Sequence, residues 1–279
     1  MHDWTDLLSR HSDGRPRIMG VINCTPDSFH KDSRSEEIEQ SLTIVEKMIQ
    51  DGADWIDIGG ESTRPGATEV SIEKEIERTA PLIREIRKKF PNQAISIDTR
   101  RHQVAREAII AGANLINDVS GLRDPEMLGL VLSSDVGVCI MHMQGEPRNM
   151  QNSPIYDDVV KEVSSSILNK ARELVELGHP INRICLDPGI GFGKTLEHNL
   201  SLLRNSEAFR GSEGFSLLWG VSRKSMFRDL LGREETNQRL AGTLGVAAYA
   251  QNKGIDILRV HDVAEHVDLC RTISSLELN

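Results

Sequence analysis

The chain has 279 residues, 38% strongly apolar and 27% charged, with a formal net charge of −9. This content excludes a disordered chain, and the acidic balance with only 4% aromatic residues argues against a general nucleic-acid binder, a membrane-surface binder or a stacking platform for single strands. The length suits one large α/β barrel or two ordinary domains.

Eight short apolar runs follow one another along the chain. They are Arg17 to Asn23, Trp55 to Gly60, Ala94 to Asp98, Leu115 to Val119, Val136 to His142, Arg183 to Asp187, Leu217 to Ser222 and Ile257 to His261. Each is β-branched or Leu-rich and bounded by Gly, Pro, Asn or Asp, as buried parallel strands are. Between the first two, Ile38, Leu42, Val45 and Ile49 recur at helical spacing, and Gly52 follows as a stop. Ile72, Ile76, Ile83 and Phe90 predict a longer helix, and Val159, Val163, Ile167, Ala171 and Leu174 predict one ending near Gly178. Shorter helical stretches follow the fourth and sixth runs. After the eighth, Asp262 with Glu265 three residues on reads as a capping box.

Eight strand–helix repeats without a Ser/Gly- or Pro-rich linker predict a single (β/α)8 TIM barrel over residues 17–279, after an N-terminal extension of residues 1–16. A doubly wound open sheet alternates similarly, but at this length it usually carries a clearer domain break. Cys24, Cys139, Cys185 and Cys270 are far apart and form no Cys-x-x-Cys pair, so neither a zinc site nor a disulfide framework is expected. Met1-His2-Asp3-Trp4-Thr5-Asp6 is too polar for a secretory signal, and no apolar run reaches the roughly 18 residues of a membrane span. A cytoplasmic protein with reduced thiols is expected.

What ends each run is informative. The endings are Asn23, Asp57 with Glu61, Asp98, Asn117 with Asp118, His142, Asp187, Ser222 to Lys224, and Arg259 with His261. In a barrel these face the C-terminal mouth, where active sites are built. A single one is as readily a helix cap or a turn residue, but eight polar endings are not. Carboxylates, amides and cations together suit a ligand with a polar heterocycle at one end and an anion at the other. Asp98, Asp187 and Asn117 can pair with the N–H edge of a fused pyrimidine. Arg64, Arg223, Lys224, Arg259 and His261 can hold phosphate oxygens, and Asn23 can offer an oxygen to Mg²⁺ shared with substrate phosphates. The stretch Asp187 to Thr195 looks like a phosphate loop, but Pro188 stands where that pattern needs its first Gly, and Lys194 stands where a dinucleotide loop needs its last. Asp57 and Glu61 also have a spacing open to an acid/base pair for sugar hydrolysis, with nothing else to support a sugar site.

At this point the residues match a known family. Thr25-Pro26-Asp27-Ser28-Phe29, Gly59-Gly60-Glu61-Ser62-Thr63-Arg64-Pro65-Gly66, Ile97-Asp98-Thr99, Ile116-Asn117-Asp118, Met141-His142-Met143-Gln144-Gly145, Asp187-Pro188-Gly189 with Gly191-Phe192-Gly193-Lys194, Ser222-Arg223-Lys224-Ser225 and Arg259-Val260-His261-Asp262 occur in that order. Over nearly its whole length the chain resembles the dihydropteroate synthases. The resemblance implies a transferase of folate biosynthesis that joins 6-hydroxymethyl-7,8-dihydropterin diphosphate to p-aminobenzoate, releasing diphosphate. It implies that Asp98, Asn117, Asp187 and Lys224 grip the pterin, that Met141 lines its pocket and that Arg259 stacks on the ring. It implies an anion site of Asn23, Thr63, Arg64, Arg259 and His261, with Asn23 also binding Mg²⁺. It implies a p-aminobenzoate site of Phe29, Thr63, Arg64, Pro65, Phe192 and Ser222, with sulfonamides as competitive inhibitors. Asp98, Lys224, Asn23, Arg259 and His261 are the residues expected to carry catalysis. A homodimer is expected, with barrel helices seven and eight in contact; Leu240, Leu244, Ala247 and Ala248 form an apolar stripe there, although a stripe facing the barrel looks the same.

The chain departs from the family at His30 to Arg34, where Asp-Gly-Gly often follows Phe, at Arg100-Arg101-His102, and at Ile190, where Phe is frequent. The first predicts a stiffer, more charged first loop. Two other readings share the pterin residues: a folate-dependent methyltransferase, which would need no p-aminobenzoate loops, and a non-catalytic pterin-binding homologue, which should have lost part of the anion site.

Overall fold

The computed structural model describes residues 4–24, 34–62, 69–146 and 149–277. Eight parallel strands close into a barrel in chain order, with the last pairing back onto the first. They are β1 (Arg17–Asn23), β2 (Trp55–Gly59), β3 (Ala94–Asp98), β4 (Leu115–Asp118), β5 (Gly137–Met141), β6 (Ile184–Asp187), β7 (Ser216–Trp219) and β8 (Ile257–Val260). The helices are α1 (Arg34–Gln50), α2 (Ile72–Lys89), α3 (His102–Ala111), α4 (Pro125–Ser133), α5 (Val159–Glu176), α6 (Leu196–Arg204), α7 (Met226–Leu231), α8 (Leu240–Asn252) and α9 (Val263–Glu277). The fold is therefore the expected (β/α)8 barrel. None of the described helices is long and apolar enough to cross a membrane.

Strand alternation builds two cores. Residues facing outward, such as Ile56, Ile58, Ile95, Ile97, Val138 and Ile140, pack under the helices in one large cluster. Residues facing inward form a second layer with one member from every strand: Met19, Trp55, Ala94, Leu115, Cys139, Cys185, Leu218 and Ile257. The short 3₁₀ turn Thr5–Leu8 closes this end of the barrel. Leu8 is buried against the layer, Trp55 Nε1 donates to Leu7 O at 2.9 Å, and the Trp4 ring meets Trp55 edge-on at 6.1 Å between centroids. Gly137 makes room for it, because a Cβ there would lie 2.9 Å from the Trp4 ring.

Some local expectations change. The seventh strand stops at Trp219, so Ser222 to Lys224 sit in a loop; Arg223 takes φ 57°, which a strand cannot continue. Two helices, α7 and α8, follow that strand. The capping box expected at Asp262 does not form. Asp262 gives both carboxylate oxygens to Arg223, and the first turn of α9 is closed by His266 Nδ1 donating to Asp262 O at 2.6 Å. A reciprocal box occurs instead at the start of α6, between Thr195 and His198. All four cysteines are free and buried. Of the apolar stripe on α8, Ala247 is buried and Leu240, Leu244 and Ala248 are half-buried, while Tyr249 and the α7 residues Leu230 and Leu231 are exposed.

Candidate active site at the mouth of the barrel

Two residues above the apolar inner layer, the same inward positions turn polar. Above Trp55 stands Asp57, above Leu115 Asn117, above Cys185 Asp187 and above Ile257 Arg259; Asp98 stands four above Ala94. Arg259 joins most of them. Its Nε donates to Asp57 Oδ2 at 2.6 Å and one terminal nitrogen donates to Asp98 Oδ2 at 2.6 Å. Asn117 Nδ2 donates to the same Asp57 oxygen at 3.4 Å. Burial pushes the Asp98 carboxyl above the usual carboxylate range, Arg259 opposes this, and the neighbouring Asp57 charge adds to it. Burial works against the Arg259 charge too, but Asp57 and Asp98 hold its pKa above the ordinary arginine value.

Asp187 ends β6 and accepts from Gly189 N at 2.7 Å. Burial raises its pKa, against the nearby Lys224 charge. Gly189 adopts φ +69°, and a Cβ there would stand 1.9 Å from His142 O, so no other residue fits this turn. Lys224 donates to Ile190 O and its Nζ lies 4.4 Å from the centre of the Phe192 ring. Burial pulls the Lys224 pKa down to about 8, with Asp187 opposing. Gly220 lies close to Asp187 and Arg259, each of which would be 3.8 Å from a Cβ at that position. Met141 closes one wall with Val119, Met143, Met150 and the partly buried Phe192.

On the side of β1 and β8, Ser222 Oγ and His261 Nδ1 are 3.0 Å apart, and His261 N donates to the same hydroxyl at 3.2 Å. Arg223 turns away to Asp262 and leaves the phosphate-holding group expected from the polar strand endings. Asn23 is half-buried at the end of β1; Gly59 lies between its amide oxygen and Asp98, a Cβ there being 3.7 Å from Asn23 Oδ1 and 3.8 Å from Asp98 Oδ2. An amide oxygen beside a carboxylate suits a hard cation that takes most of its ligands from substrate phosphates and water. Among the described residues no group of three His, Cys, Asp or Glu forms a metal cage.

Other polar endings belong elsewhere. Asp118 is committed to its own turn, accepting from Ser120 N and Oγ at 2.7 Å each and from Leu122 N at 2.9 Å. Glu61 pairs with Arg101 at 3.0 Å and Arg100 at 3.3 Å, and Arg101 also reaches Glu69, Glu75 and Val70 O. That network ties Glu61, so Asp57 and Glu61 are not an acid/base pair. Phe29, Thr63, Arg64 and Pro65 lie outside the described residues, as does the altered His30 to Arg34 segment up to Ser33; Arg34 begins α1. Sequence marks Asp57 as a polar strand ending but does not reach its part in holding Arg259; the signal for that is a carboxylate at an inward position, two residues past an inner-layer Trp.

The match to a family model decides the affiliation: residues 19–261 match the pterin binding enzyme family. The chain belongs to this family. It is 42% identical to the dihydropteroate synthase of Haemophilus influenzae over 92% of each chain. The crystal structure of the Yersinia pestis dihydropteroate synthase with a sulfonamide drug superposes with a TM-score of 0.87 at 40% identity, covering 96% of both chains. That of Burkholderia cenocepacia dihydropteroate synthase complexed with 7,8-dihydropteroate gives 0.85 at 39% identity, covering 94% of this chain and 92% of that one. Within the family, the chain sits among the dihydropteroate synthases.

Proposed function

We propose that this chain is a dihydropteroate synthase, joining 6-hydroxymethyl-7,8-dihydropterin diphosphate to p-aminobenzoate to give 7,8-dihydropteroate and diphosphate. The observation that carries the reading is the polar cluster at the barrel mouth, in which Arg259 bridges Asp57 and Asp98, Asn117 donates to Asp57, and Asp187 lies near both Lys224 and Arg259. Asp98, Asp187 and Asn117 pair with the N–H edge of the pterin, and Lys224 donates to its ring acceptors. Arg259, held by Asp57 and Asp98, stacks on the ring. Met141 walls the pterin pocket. Asn23, Thr63, Arg64, Arg259 and His261 take the diphosphate, and Phe29, Thr63, Arg64, Pro65, Phe192 and Ser222 shape the p-aminobenzoate site.

The chemistry follows from charge. The C–O bond to the diphosphate breaks and its electron pair leaves with the diphosphate, so positive charge spreads from the methylene carbon into the pterin. The fixed carboxylates of Asp98 and Asp187 stabilise that charge without reorganising. The weakly basic arylamine then forms the C–N bond and loses its proton, so no strong general base is needed. Asn23 would hold Mg²⁺, and the ion would supply charge neutralisation for the leaving diphosphate.

Mixing purified protein with the pterin diphosphate, p-aminobenzoate and Mg²⁺ should yield dihydropteroate; pterin binding without product would favour a non-catalytic homologue. Lys224→Ala and Asp98→Asn should each cut turnover by about tenfold or more, and near-normal rates would sink these roles. Excess sulfamethoxazole over p-aminobenzoate should suppress turnover.

The assembly is a homodimer in this reading, in a cytoplasmic enzyme with no nucleic-acid or membrane partner, and residues 17–279 act as one barrel unit behind the extension 1–16. The exposed Leu230, Leu231 and Tyr249 supply the apolar contact area. Sedimentation should give the mass of two chains, and Leu231→Glu should shift it toward one.

A further inference from the structure

Lys194 closes the glycine-rich stretch after β6, yet it does not reach toward the mouth. Its side chain is buried, with 3% exposure. An ammonium has three donors, and three acceptors surround this one: Phe192 O at 3.0 Å, His142 Nδ1 at 3.1 Å and His142 O at 3.4 Å. Among the described residues no carboxylate is bonded to it, so its direct partners are dipoles and Asp187 acts only through space, a costly arrangement for a merely structural tie. Burial pulls its pKa down to about 7, with Asp187 opposing and Lys224 adding.

The acceptors are telling. His142 directly follows β5 and Met141, and its N–H donates to Asp187 O at 3.1 Å. Burial, then Lys194 and Arg123, holds the His142 pKa down to about 3, so the ring stays a neutral acceptor at Nδ1 with its proton on Nε2. Phe192 carries the ring that lies against Lys224. One cation thus grips the peptide carrying Phe192 and the segment beside Asp187 and Met141.

We propose that Lys194 is a positioning residue: it ties the end of β5 to the β6–α6 loop and thereby sets the Phe192 ring against Lys224, fixing the arylamine subsite. The subsite assignment rests on the function proposed above. The tie itself does not.

Two measurements test it. In Lys194→Met, KM for p-aminobenzoate should rise about tenfold while kcat and the KM for the pterin diphosphate change less than about threefold. His142→Leu should reproduce this split, His142→Gln, which keeps an acceptor, should largely restore it, and the double variant Lys194→Met/His142→Leu should be no worse than either single change. Independently of activity, amide exchange over residues 189–194 should speed up about tenfold or more in Lys194→Met, with β2 and β8 unchanged. Accelerated exchange in a protein that makes no dihydropteroate would uphold the tie and reject only the reaction. Unchanged exchange in the folded variant, or an equal loss in all kinetic constants, would overturn the proposal.

Discussion

Arg259 is held between two carboxylates that come from strands on its far side in sequence. Asp57 is fully buried, and its Oδ1 has no hydrogen-bond partner among the described residues. Removing one member of a buried pair leaves uncompensated charge, so Asp57→Ala should destabilise the fold by about 3 kcal/mol or more in urea titrations, and turnover should fall with it. Lys224 supplies a pH signature. Its folded pKa of about 8 lies below the ordinary lysine value, so the cation is lost as pH rises through about 8 rather than above 10. Affinity for the pterin diphosphate should therefore weaken above about pH 8, and Lys224→Arg, which stays charged, should move that limb upward. His142 supplies a pH signature in stability rather than in binding. Its folded pKa of about 3 lies below the unfolded value, so the unfolded chain binds the extra proton and stability falls as pH drops from about 6.5 toward 3. His142→Gln should flatten that acid slope in denaturant midpoints measured from pH 7 to pH 4.

At the scale of elements, local sequence signals worked where no distant group competed. The helices foreseen from Ile38 to Ile49 and from Val159 to Leu174 form as α1 and α5 because their apolar faces meet the barrel wall. The cap at Asp262 failed because Arg223, 39 residues away, takes its carboxylate. The turn Thr5–Leu8 carried no repeat signal, yet it seals the barrel end opposite the mouth. Leu8→Ala should therefore cost about 2–5 kcal/mol of stability while leaving kcat and KM unchanged in the folded fraction. A kinetic defect from that change would mean that the two ends of the barrel are coupled.

For the whole molecule, the net charge of −9 and the proposed anionic substrate pull in opposite directions. Lys224, Arg259 and His261 stand at one mouth, and their local field must outweigh the average. KM for the pterin diphosphate should rise with salt, because long-range attraction is screened over about 10 Å at 0.1 M, while kcat stays nearly constant. What the linear chain determined by itself is the strand count and the inward alternation. Trp55 then Asp57, Leu115 then Asn117, Cys185 then Asp187 and Ile257 then Arg259 each step from apolar floor to polar mouth at a spacing of two, a property of any strand. What only the closed barrel decided is who meets whom. Arg259 and Asp57 are 202 residues apart and lie on strands that do not pair directly, and Lys194 turns inward to His142 across 52 residues. Those meetings depend on where closure of the sheet brings side chains together across the interior, and no local pattern encodes that distance.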